Sequence, residues 1–180
     1  MFVPEQYHLS IELEKKRYAL HDNTIGNAGY VRFLTEVVDT VAPYTDDASN
    51  VLDYGCGENA VLARLLRQRG VRCEVYDPMY YPTVPEKTEG YDAIILCEVI
   101  EHCRNLNEVI VFIQELLSVK GVVCVRTQCY SEVSAMPEWW YAQDPTHIHF
   151  FSQKALEVVA QRLNRRVTVS PQKRDIFLFT

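Results

Sequence analysis

Four short stretches gather the side chains able to do chemistry. At 51–59 the chain reads VLDYGCGEN, and Gly55, Gly57 and Ala60 keep the spacing of a tight turn that lets a nucleotide approach the backbone. Asp77 stands twenty residues beyond Gly57, where an acid accepts hydrogen bonds from a ribose. CEVIEHC at 97–103 sets Glu98, Glu101, His102 and Cys103 side by side. The segment EVSAMPEWWYAQDPTHIHFF at 132–151 adds Trp139, Trp140, His147 and His149. Histidine titrates near neutral pH, so His147 and His149 are candidate general bases, and they share one side of the chain if the stretch is extended. RYALHDN at 17–23 contributes Tyr18 and His21, about one helical turn apart and able to face a common ligand.

The acids select among the ligands that such a turn can hold. A dinucleotide would lay a doubly negative pyrophosphate over the turn and the following helix N-terminus, close to Asp53 and Glu58. S-adenosylmethionine has no phosphate and carries an ammonium, a carboxylate and a sulfonium. Asp53 suits its amino-acid end, Gly55 and Gly57 permit close backbone approach, and Asp77 can take the ribose hydroxyls. The residues therefore favour S-adenosylmethionine, with S-adenosylhomocysteine as product, over a nicotinamide; a turn that binds nothing is the bland alternative. Glu98 and His102 are four apart, but neither HExxH nor another recognised ligand set is present, so no metal site is expected.

The elements that position these residues follow from periodicity. Helices are expected over 12–19 and 30–41, the second with Val31, Leu34, Val37, Val38 and Val41 on one face and Pro43 closing it. A buried strand at 50–54 leads into an amphipathic helix ending at Gly70, then a strand at 71–76. YDAIILCEV is an apolar strand, LNEVIVFIQELLSVKG a helix capped by Gly121, and VVCVRTQ another strand. A helix at 152–163 and two final strands complete the chain. Strands alternating with helices imply an α/β fold with a mostly parallel sheet covered on both faces and its ligand crevice beyond the strand C-termini.

Composition narrows the function. At 180 residues with 48% hydrophobic and 23% charged residues, the chain suits one ordinary globular domain. Its formal net charge of −6 and the absence of a long basic run argue against nucleic acid; Arg64, Arg67, Arg69 and Arg72 read as the solvent face of one helix. The apolar runs are too short to span a bilayer and the start lacks a secretory profile, so a cytoplasmic location is expected. Six cysteines without a CxxC pair read as reduced, mostly buried thiols.

These motifs resemble the class I S-adenosylmethionine-dependent methyltransferases: VLDYGCGEN their glycine motif, EVYDP their ribose acid, YDAIILCEVIEH their fourth strand and its loop. FVPEQYHLSIELEKKRYALHDN, GYVRFL, YDPMYYP, EVIEH and WWYAQDPTHIHFFS are similar to a small bacterial, ubiquinone-methylase-like subgroup. The resemblance implies a three-layer Rossmann-like fold with an antiparallel last strand. It places Asp53, Gly55 and Gly57 at the methionine part of the donor and Asp77 at the ribose. Pro78 and Met79 would border the adenine, and Cys97 and Glu98 would lie beside the sulfur. Asp77 and Asp92 are only fourteen residues apart, too close for a helix and the usual third strand, so the second strand should be an edge. Residues 1–45 are expected to cover the cofactor cleft, and 46–180 to form the core, with 129–151 as the acceptor-side loop. The expected reaction is methyl transfer to a small, partly apolar or planar acceptor by a monomer or homodimer. A catalytically inactive S-adenosylmethionine-binding module and an NAD-dependent oxidoreductase are the alternatives.

Overall fold

A computed structural model describes residues 1–85, 90–130 and 136–180. Its elements run α1 (Ile11–Tyr18), α2 (Ala28–Val41), β1 (Asn50–Tyr54), α3 (Val61–Gln68), β2 (Arg72–Tyr76), β3 (Tyr91–Cys97), α4 (Leu106–Leu116), β4 (Leu117–Arg126), α5 (Gln153–Arg162), β5 (Val167–Val169) and β6 (Ile176–Phe179). The six strands form one sheet in the order β2-β1-β3-β4-β6-β5. The first four are parallel, while β6 runs antiparallel to both β4 and β5.

Strand parity builds the three layers. Val51, Ala93, Ile95, Val122 and Cys124 point to the face that α2 and α3 cover with Leu34, Val37, Val38, Leu62 and Leu66. Leu52, Ile94, Leu96, Val123 and Val125 point the other way, onto Ile110, Ile113, Leu156 and Val159 of α4 and α5. Polar side chains start most of the helices. Ser10, Asn27, Asn105 and Ser152 each accept a first-turn amide of α1, α2, α4 and α5.

The order β2-β1-β3 leaves β2 as an edge, and no strand lies between β2 and β3 among the described residues. Residues 86–89, in the connection from β2 to β3, lie outside the described residues. All six cysteines are free thiols, with Cys73 and Cys124 buried in the sheet.

One expected boundary is wrong. The helix over 106–121 stops at Leu116, and LSVKG belongs to β4, with Leu117 paired to Tyr91 ahead of an irregularity in the β3–β4 register. Gly121 is a strand residue, not a cap, and a Cβ there would lie 2.5 Å from the Tyr91 carbonyl oxygen. Arg165 holds the irregular stretch by donating to the carbonyls of Ser118, Val119 and Gly121. A contact from 44 residues away outweighs the helical pattern of the local sequence.

Candidate active site

A cleft of about 1700 Å³ opens beyond the C-termini of β1, β2 and β3, walled by α1, the start of α2 and the 140–147 segment. Its floor is the glycine turn. Gly55 (φ +74°) donates to the Tyr76 carbonyl at 2.7 Å, and a Cβ on it would come within 2.6 Å of the Val99 side chain. Glycine at this position is required by both conformation and contact. Gly57 (φ +65°) donates its amide to Asp77 Oδ2 at 3.0 Å. Asp77 Oδ1 accepts from the amides of Met79 and Tyr80 at 2.8 and 3.1 Å. A carboxylate has about four acceptor positions, so Asp77 is locked in place with one left on Oδ2 for a ligand hydroxyl.

Asp53 sits elsewhere than the glycine motif suggests. Its parity is that of Val51, so it points beneath α3, where it is buried and Oδ2 accepts the Ala63 amide at 3.1 Å. No residue of α3's own N-terminal turn caps it by side chain; Asp53 does so from the strand. Burial pushes its carboxyl up to about 7, opposed in part by that amide. It does not line the cleft, whereas Tyr18, His21, Gly55, Gly57, Asp77, Pro78, Met79, Cys97 and Glu98 all do. The arginines at 64, 67, 69 and 72 lie away from it, with Arg67 donating to the Cys73 carbonyl and Arg69 paired with Asp39.

The opposite wall joins residues far apart in sequence. The amides of Ile148 and His149 both donate to the Glu101 carbonyl, at 2.9 and 3.0 Å, which pins the DPTHIH segment onto the EVIEH turn. Asp144 Oδ1 accepts from the amide and hydroxyl of Thr146, closing the turn, while Oδ2 receives Arg17 Nε and Nη2 from α1. His102 Nδ1 donates to the Thr146 carbonyl at 2.9 Å and His147 Nδ1 to the Tyr141 carbonyl at 2.6 Å. Both imidazoles thus keep Nε2 as the lone-pair nitrogen, and their rings pack edge to face at 4.7 Å. Burial lowers both pKa values, and for His147 the neighbouring His102 adds to the effect, so His147 is a neutral acceptor at pH 7. Glu98, in the left-handed region at φ +53°, has its carboxyl raised to about 8, first by burial and then by Glu101.

The two candidate bases part company. His147 lines the cleft; His149 does not and instead bridges Phe2 of the N-terminal segment. The pinched pair of amides on Glu101 breaks the extended geometry that would have aligned them. Trp140, Gln143 and Asp144 join His147 at the cleft, but residues 131–135 of the acceptor-side loop lie outside the described residues. Sequence reasoning missed Tyr30 and Asp144 as lining residues and Tyr141 as the group that orients His147. Only the DPT turn carried a local signal for any of them.

Fold and cleft together define a Rossmann-like α/β protein with an open cleft at the strand ends. The Methyltransferase domain family matches residues 27–168, and the chain belongs to that family. DesVI of Streptomyces venezuelae is similar in structure, at 15% identity and a TM-score of 0.61, over 97% of this chain and 99% of that one. An O-methyltransferase family protein from Burkholderia thailandensis is also similar, at 15% identity and a TM-score of 0.57, over 83% of this chain. The chain spans 55% of the length of that protein. The [4+2]-cyclase SpnF shares the fold at 17% identity and a TM-score of 0.51, over 77% of this chain and 57% of that one. No curated protein matches the sequence. No helix among the described residues is long and apolar enough to cross a membrane.

Proposed function

We propose that the protein is an S-adenosylmethionine-dependent methyltransferase acting on a small-molecule acceptor, with S-adenosylhomocysteine as the second product. The observation that carries this reading is the pairing of two halves in one cleft: Asp77, fixed by three backbone amides, faces a wall that presents the neutral imidazole of His147. The residues fit the donor. The Gly57 position of the glycine turn is open, with no atom within 4 Å of where a Cβ would stand, Asp77 keeps one acceptor position, and Glu98 Oε1 is buried in the cleft wall without a hydrogen-bond partner among the described residues. Pro78 and Met79 would border the adenine, Tyr18 and His21 would close over the donor, and Cys97 and Glu98 would flank its sulfur. Asp53 would act on the amino-acid end through the turn it supports. Residues 1–45 serve as the cover of the cleft over the core at 46–180.

Bound S-adenosylmethionine supplies an electrophilic methyl group for in-line attack. The chain aligns the acceptor, excludes water, and takes its proton on His147 Nε2. His149 has no part in this reading, because it lies off the cleft. The aromatic wall around Trp140 suits a partly apolar or planar acceptor. A cytoplasmic monomer or homodimer with no nucleic-acid or membrane partner accords with the charge distribution.

Calorimetric titration of the purified chain with S-adenosylmethionine, S-adenosylhomocysteine and NAD⁺ tests the donor, followed by a radiolabelled-methyl screen of small acceptors. Tight binding of NAD⁺ without affinity for either sulfur ligand refutes the reading. Donor binding without transfer to any acceptor favours an inactive module; SpnF shows that this fold is not tied to one reaction.

A further inference from the structure

The acceptor wall contains more ligating groups than proton removal needs. Glu101, His102 and His147 each offer one ligand atom, and the three atoms lie within 4.8 Å of one another. Glu101 is fully buried; Oε2 accepts from Thr127 Oγ1 at 3.0 Å, and the Tyr141 hydroxyl, 3.1 Å from that Thr127 oxygen, lies against the carboxyl, yet Oε1 itself has no hydrogen-bond partner among the described residues. An unpaired buried carboxylate oxygen is costly, and such an oxygen calls for a ligand. The nearest basic side chain is His102, whose Nε2 lies 3.9 Å from Glu101 Oε1, beyond hydrogen-bond reach. Arg126, which acts on Glu98 through its charge, is already committed to Glu36, Asp175 and the Phe33 carbonyl.

Both imidazoles are oriented as metal ligands are. Each donates Nδ1–H to a backbone carbonyl, which fixes the tautomer and ring plane and leaves Nε2 to ligate. Glu98 Oε1, the other orphaned carboxylate oxygen, belongs to the same EVIEH turn and feels the Glu101 charge. Its left-handed backbone is a strained conformation of the kind that clusters at functional sites.

We propose that Glu101, His102 and His147 bind one divalent transition-metal ion at the acceptor wall. Two imidazole nitrogens with a carboxylate oxygen suit manganese, iron, cobalt or zinc better than magnesium or calcium, which take oxygen ligands. Ligands about 2.1 Å from a shared ion lie roughly 3 to 3.5 Å apart, so the side chains must close by about an ångström through small rotations. The remaining coordination positions face the cleft, where an oxygen of the acceptor would ligate. That last step rests on the methyltransferase reading; the binding of the ion does not. His147 Nε2 takes the acceptor's proton in the metal-free protein and ligates the ion in the loaded one, so the two roles belong to alternative states of the same residue.

The test uses the full chain, stripped with chelator and titrated with Co²⁺. One equivalent should bind at micromolar or tighter dissociation constant and give a visible ligand-field spectrum. Glu101→Gln keeps the size and the Thr127 hydrogen bond, and both it and His147→Ala should bind at least about 100-fold more weakly. His8→Ala should be unchanged. Circular dichroism and S-adenosylhomocysteine affinity check that the variants fold, and loss of donor binding by the unaltered chain would indict the methyltransferase reading separately. Pulsed electron paramagnetic resonance of the Cu²⁺-loaded unaltered chain should show nitrogen couplings from two imidazoles, a readout that needs no variant. Absence of stoichiometric binding, undiminished affinity in the folded variants, or fewer than two coupled imidazoles would overturn the proposal.

Discussion

Asp53→Asn should make the stability of this protein less dependent on pH. The substitution keeps an oxygen to accept the Ala63 amide and removes only the charge. A rise from 3.8 to about 7 on burial corresponds to about 4 kcal/mol of cost on the ionised form. Within that window the native state holds a proton that the unfolded chain has already released, so stability falls as pH rises and levels off above it. From about pH 5 to about pH 8 this amounts to roughly 2–3 kcal/mol for the single group. Glu98 and Glu101 are also raised by burial and act in the same direction, but they are common to both proteins. The difference between the two stability curves therefore isolates Asp53. Urea denaturation of each protein at several pH values, without ligand, measures it. The curves should converge in acid and separate by roughly 2–3 kcal/mol toward alkaline pH, with the Asp53→Asn variant the more stable. Parallel curves would show that Asp53 is not titrating beneath α3, and the assigned burial cost would be wrong.

Asp77→Asn should weaken S-adenosylhomocysteine binding by about 1–3 kcal/mol while shifting the melting temperature little, and equal losses in both would refute a direct contact. Arg126, 5% exposed, pairs with Glu36 and Asp175 and lies 3.5 Å over the Phe33 ring. Arg126→Ala leaves Asp175 without its partner while Glu36 keeps Lys173, and should cost about 3 kcal/mol in urea denaturation; Arg126→Lys should restore only part, since an ammonium lacks the fork. Glu98, with its carboxyl held up to about 8, should favour the sulfonium only when ionised. Calorimetry should therefore find the ratio of S-adenosylmethionine to S-adenosylhomocysteine affinity rising about tenfold from about pH 7 to about pH 9, and Glu98→Gln should flatten that rise.

The glycine turn, Asp77 and the run of strands were legible because each is specified by spacing and apolar pattern within a short window of sequence. That no strand lies between β2 and β3 among the described residues agrees with the short span between Asp77 and Asp92. The orientation of Asp53 was written in strand parity, since it must share the face of Val51, but the acid of the glycine motif drew attention to the cleft instead. The start of β4 was illegible, because LSVKG continues a helical apolar pattern and only Arg165 and the Tyr91 pairing draw it into the sheet. The meeting of Glu101 with His147 depends on one carbonyl receiving two amides from 47 and 48 residues downstream. Periodicity says nothing at such a range.

Among the described residues no helix or strand lies between β2 and β3, and α1 helps to wall the cleft by polar contacts rather than by a packed apolar face. Glu14 pairs with Arg104 at 2.6 Å and Arg17 with Asp144 at 2.7 Å, so one helix is tied to both the EVIEH side and the DPTH turn. Asn59 of the glycine turn adds a hydrogen bond to the Asn23 carbonyl. Ile11 and Leu13 remain exposed, and the sole buried residue of α1 is Glu14. Partly exposed ion pairs contribute about 0–1 kcal/mol each, so these ties hold α1 by a few kcal/mol at most. An enclosure of that strength opens often enough to exchange a ligand, and salt loosens it. Arg17→Ala should therefore cost under about 1 kcal/mol of stability, yet weaken and speed the release of a ligand beneath α1. Stopped-flow dissociation of S-adenosylhomocysteine would show this, and an unchanged release rate would mean that α1 does not hold the cleft shut.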